Sequence, residues 1–113
     1  MVTYELNELL LDNGTSPFGK WYGQLDPLAA AKVHIALTRL ELGNLSNVAW
    51  FHGIGEYEID WGPGLRIHLA RDGLKIIILI GGGTKKRQQK DIEKAVTLWE
   101  DFKQRKASTQ KGT

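Results

Sequence analysis

From Tyr57 to Leu69 the apolar residues of this chain fall on every second position, interrupted by one turn signal, and a second turn signal follows. No other feature limits the fold as much. In YEIDW, Tyr57, Ile59 and Trp61 point one way, while Glu58 and Asp60 point the other. In LRIHLAR, Leu65, Ile67 and Leu69 alternate with Arg66, His68 and Ala70. Gly62-Pro63-Gly64 joins the two runs as a tight turn, and Asp72-Gly73 is a two-residue hairpin signal. The run IIILI at 76–80 is apolar throughout, the pattern of a strand covered on both faces. Together these segments predict a meander of antiparallel strands.

Helical signals lie on either side. Residues 2–11 are apolar-rich with no helix start and read as a first strand, ended by Asn13-Gly14. Ser16-Pro17 and Asp26-Pro27 each pair a capping side chain with proline at the first helical position. After Asp26-Pro27, Leu28, Ala31, Ile35 and Leu42 form one stripe and Val33, Leu37 and Leu40 a neighbouring one, up to the stop at Gly43-Asn44. A last helix is predicted to bury Ile92, Ala95, Val96, Trp99 and Phe102. The expected fold is α+β: a small antiparallel sheet packed by two N-terminal helices and one C-terminal helix. One domain spans 1–103, and the polar stretch 104–113 reads as a disordered basic tail.

The chain has 113 residues and no cysteine, which excludes disulfides, cysteine metal ligands and cysteine nucleophiles. Its start, MVTYELNELLLDNG, carries acids where a secretory signal carries Lys or Arg, and no apolar stretch approaches a membrane span. A cytoplasmic protein with no membrane partner is expected. The formal charge is only +2, yet Lys85 to Lys90 reads KKRQQK, four bases without an acid. Local charge density sets the field that a ligand meets.

That basic run follows Gly81-Gly82-Gly83-Thr84, at the start of the last helix. Glycines let a backbone approach a ligand closely, and a helix N-terminus presents free N–H groups, so the segment suits an anion. Lys85, Lys86 and Arg87 oppose the positive end of the helix dipole, and such local violations favour function. The alternative is that all three extend into water and form a solvated basic face. The GxxxxGK[ST] pattern is absent, so a polymer backbone fits the patch better than a polyphosphate does.

If 62–64 form the hairpin loop, Asp60 lies opposite Arg66 and Glu58 opposite His68, with Ile77 and Leu79 on the same face. One reading is a pair of exposed cross-strand ion pairs. The other is a His–carboxylate pair able to move protons beside an exposed phosphate-holding arginine. No two histidines have metal-ligand spacing and no serine-nucleophile motif appears, so no metal or cofactor is expected.

The order RLELGN (Arg39 to Asn44), EYEIDWGPGLR (Glu56 to Arg66), ARDG (Ala70 to Gly73) and GGTKKRQQKDI (Gly82 to Ile92) resembles the phage-derived, HigB-like branch of the RelE/ParE toxin superfamily. The resemblance covers about residues 28–102. It implies the toxin of a type II toxin–antitoxin pair, silenced by a cognate antitoxin that is often a helix-turn-helix protein. It further implies a metal-free ribonuclease that cleaves mRNA on the ribosome through attack by the 2′-hydroxyl. By position, Arg66, His68 and Lys85 take the catalytic places, and Lys86, Arg87, Gln88 and Lys90 hold RNA phosphates. Glu58, Asp60 and Asp91 support them. Leu65 stands where the family has tyrosine, Glu58 where it has a base, and Thr84 where it has aspartate. A ParE-type inhibitor of DNA gyrase, or a relative keeping only antitoxin binding, are the other readings.

Overall fold

The computed structural model describes residues 2–111, the last three by backbone alone. Its elements are β1 (Glu5–Glu8), α1 (Pro17–Gly23), α2 (Pro27–Glu41), β2 (Val48–Phe51), β3 (Ile54–Ile59), β4 (Leu65–Asp72), β5 (Ile76–Thr84) and α3 (Gln88–Lys111), with a 3₁₀ turn over Lys85–Arg87 between the last two. One five-stranded sheet runs in the order β1-β5-β4-β3-β2. The fold is α+β, as the two periodicities require.

Both cap-plus-proline starts form helices. Ser16 accepts a hydrogen bond from the Gly19 amide at 2.8 Å, and Asp26 from the Ala29 amide at 3.0 Å. Each satisfies one of the amide groups that a helix start leaves without a partner. β2 and β3 close over His52-Gly53, with φ of 53° and 82°, the left-handed pair that a two-residue hairpin needs.

β2 to β5 are antiparallel, but β1 joins the far edge parallel to β5. The meander is therefore a mixed sheet, and α1 and α2 supply the long connection that lets the first strand lie beside the last. The first strand is also shorter than the apolar run suggested.

The sheet is covered on both faces. α1 and α2 close one side over Val33, Leu40, Ile67, Leu69 and Ile77; α3 closes the other with Ala95 and Trp99 over Ile54, Ala70, Ile78 and Ile80. β5 is buried on both faces, as IIILI predicts.

The registers differ from simple counting. The β3–β4 connection uses five residues, 60–64, and the β4–β5 turn uses three, 73–75. A bulge follows: His68 pairs with Gly81 and Leu69 with Leu79, leaving Ile80 without an opposite residue. The three-residue turn sets Ala70 opposite Ile78, so Ile78 and Ile80, rather than Ile77 and Leu79, share the side of His68 that faces α3.

The segment 104–111, expected to be disordered, continues α3 through Lys111. Tertiary contacts override its polar composition: Arg105 pairs with Asp12 at 3.3 Å and Lys106 with Asp72 at 2.7 Å. Arg105 also lies over the Phe102 ring and Lys103 over Trp99. Residues 112 and 113 lie outside the described region.

Candidate functional site

β3 and β4 place acids and bases together on the face that α3 covers. The longer turn sets Glu58 opposite Arg66 and Glu56 opposite His68. The expected partners, Asp60 with Arg66 and Glu58 with His68, are each displaced by two positions. Such a slip keeps every side chain on its face and changes only its neighbours. Asp60 falls in the turn and is exposed.

Glu56, which the reading of the sequence did not single out, is the hub. Its Oε1 accepts from Arg66 Nη1 and from Gln88 Nε2, both at 2.9 Å, and its Oε2 bonds His68 Nε2 at 3.1 Å. Glu56 and Arg66 are each 5% exposed and His68 1%. Arg66 was expected to stand in solvent; instead it is buried in an ion pair, with exposed Glu58 3.7 Å away on its outer side. The physical reason is α3, whose Gln88 closes over the strand pair. Among the described residues Arg66 Nε is buried without a partner. The contact between His68 Nε2 and Glu56 Oε2 holds the ring in one orientation, with Nδ1 as the nitrogen turned away from Glu56. Among the described residues Nδ1 has no hydrogen-bond partner.

His68 also lines the floor of a cleft of about 530 Å³ between α1, α3 and β5. Lys20 and Trp21 come from α1; Arg87, Lys90 and Lys94 come from the start of α3 and the turn before it. Among the described residues Asp91 is the one acid lining it, beside four cations and the buried histidine. Trp21, Lys20 and Lys94 were not foreseen, because pairing α1 with α3 across a sheet edge leaves no local signal.

The three glycines now have separate causes. A Cβ on Gly82 would lie 2.3 Å from the Trp21 ring, and one on Gly83 would lie 2.0 Å from Asp91 Oδ2. Their absent side chains admit neighbouring parts of the protein. Gly81 alone has nothing within 4 Å of that position, and it lies in the cleft beside His68. Of the run expected to admit a close backbone approach, Gly81 is the glycine with open space beside it.

Lys85, Lys86, Arg87 and Lys90 are exposed, as a phosphate-binding role needs. The first three form a 3₁₀ turn rather than the first turn of the α-helix, and Thr84 makes no side-chain cap. The Lys85 amide is spent on the Gly64 carbonyl at 3.1 Å, so this helix start is tied to the glycine-proline turn. Gln88 and Asp91 face inward, toward Glu56 and Gly83. A more open hollow lies farther along α3 between Asp12 and Ser108, where Arg105 pairs with Asp12 and Asp101 adds a second acid.

Among the described residues no three His, Asp or Glu side chains converge as a metal site needs, and no helix is long and apolar enough to cross a membrane. No family model matches the chain, and no solved structure matches it. A protein of Haemophilus influenzae, strain Rd, described as an uncharacterized protein, is 36% identical over 90 residues, covering 78% of this chain and 91% of that protein.

Proposed function

The chain belongs to one family with the Haemophilus influenzae protein, and we propose that it is an RNA-directed toxin of the RelE/ParE superfamily, HigB-like branch. In this reading it is the toxin half of a type II toxin–antitoxin pair and cleaves mRNA on the ribosome. One observation carries the reading: four cations ring a cleft whose floor is a buried, oriented histidine. RNA presents a phosphate at every nucleotide, and a ring of lysine and arginine neutralises several at once.

The reaction that suits this cleft needs only the chain's own groups. The 2′-hydroxyl of one ribose attacks the adjacent phosphorus, and the bond to the next nucleotide's 5′-oxygen breaks. A 2′,3′-cyclic phosphate and a 5′-hydroxyl result. His68 Nδ1 takes the hydroxyl proton, and a rim ammonium gives one to the departing oxygen. Arg87, Lys90 and Lys94 stabilise the charge that gathers on the phosphoryl oxygens. Arg66 acts from behind, as a positioning residue that holds Glu56 and through it His68.

Burial of Arg66 also favours a second reading, a non-catalytic inhibitor of the gyrase-directed type, because it removes one cation from the reach of a phosphate. Mapping mRNA 5′ ends within minutes of induction separates the two. New cuts at regular codon positions, lost when translation is blocked, support the ribonuclease. Growth arrest with intact mRNA supports the inhibitor, and no arrest at all sinks both.

A further inference from the structure

α2 has two apolar stripes, and the core uses one. Ala29, Val33, Ala36 and Leu40 are buried against the sheet. On the opposite side Leu28, Ala31, Ile35, Thr38 and Leu42 step by three and four residues, and all are exposed. Leu28 is 69%, Ile35 45% and Leu42 55% exposed. Lone exposed leucines are ordinary. Large apolar residues seven apart, with small ones between, repeat the seam along which one helix packs against another.

The flanks say what kind of helix fits. Lys32 and Arg39, also seven apart, run along one side of the seam, while His34 and Glu41 lie along the other. Among the described residues neither Lys32 nor Arg39 forms an ion pair. They share a groove of about 310 Å³ with Glu58, Asp60 and Trp61 on its far bank, too distant to pair with them. A second copy is a poor occupant. Two antiparallel copies about a two-fold axis set the same flank against itself, four cations side by side. A parallel pair offers one acid, Glu41, for every two cations.

We infer that the outer face of α2 is a docking surface for an amphipathic helix of another protein, one with acids beside its apolar seam that meet Lys32 and Arg39. The surface lies on the opposite side of the sheet from α3, so the inference does not rest on RNA chemistry.

The probe is a labelled helical peptide of about three heptads, with leucine at the seam and glutamate on the flanks, compared with its lysine-flanked twin. Fluorescence anisotropy should show the glutamate peptide binding about tenfold tighter or more. Lys32→Glu with Arg39→Glu should invert that preference, and Ile35→Glu should abolish binding of both. All three positions are exposed, and circular dichroism verifies that the variants keep the fold. Equal affinity for the two peptides, binding of neither, or binding that survives Ile35→Glu overturns the inference. So does sedimentation showing that the wild type dimerises and Ile35→Glu does not, which would make the occupant a second copy.

Discussion

Replacing Glu56 by methionine should destabilise this chain more than replacing both Glu56 and Arg66. Methionine keeps nearly the volume of glutamate and removes the charge. At position 56 it strands the Arg66 guanidinium, 5% exposed, with a Glu58 oxygen 3.7 Å away as its nearest counter-charge. Arg66 Nε already lacks a partner, so there is no spare hydrogen bond to absorb the loss. Breaking a buried pair by removing one partner costs about 3–5 kcal/mol, because the survivor is a desolvated charge. With m near ~2 kcal/mol/M, a loss of ~4 kcal/mol moves the urea midpoint down by about 2 M. The double variant Glu56→Met with Arg66→Met removes the stranded charge and should recover ~0.5–3 kcal/mol, the usual coupling of residues in contact. Recovery stays partial, since His68 Nε2 and Gln88 Nε2 also lose their acceptor. The assay is urea unfolding of the wild type, both single variants and the double, followed by circular dichroism. If Glu56→Met is no less stable than the double variant, the stranded guanidinium is not what costs, and the hub role given to Glu56 is wrong.

Three further outcomes follow from the same geometry. Gly83→Ala places a methyl 2.0 Å from Asp91 Oδ2 and should cost about 1–3 kcal/mol, whereas Gly81→Ala meets open space and should leave thermal stability within ~1 kcal/mol while weakening RNA binding. Melting curves alongside filter binding verify both halves of that contrast. Lys90→Glu with Lys94→Glu should lower affinity for single-stranded RNA and flatten its salt dependence by about 0.7 per lost phosphate contact, with an unchanged melting temperature. A salt slope that does not change would remove these lysines from the site. Asp26→Ala deletes the cap on the Ala29 amide and should cost about 1 kcal/mol, measured by urea unfolding.

What could be read from the sequence was whatever short-range chemistry decides. Ser16-Pro17 and Asp26-Pro27 specify helix starts within a few residues, and IIILI specifies a strand buried on both sides. Alternation put Arg66 and His68 on one face correctly, because period two survives a register error of two. Which acid met which base did not survive it. That depends on whether the turn after Ile59 takes three residues or five, and Gly62-Pro63-Gly64 is compatible with both. The bulge at Ile80 and the parallel docking of β1 leave no short-range signal either, since several packed elements enforce them together. The cleft lay outside sequence reasoning for the same reason: Lys20 and Lys94 become neighbours only after β5 has positioned α1 and α3.

The two-sided cover of the sheet also sets an order in time. A chain grows from its N-terminus, so α1, α2 and the strands exist before α3 does. Until α3 is made, one face of the sheet has its lid and the other presents Ile54, Ile78, Ile80 and the Glu56–Arg66 pair to water. Three of the four cations of the cleft, Arg87, Lys90 and Lys94, belong to the same late segment. The step that seals the second core therefore also assembles the cleft.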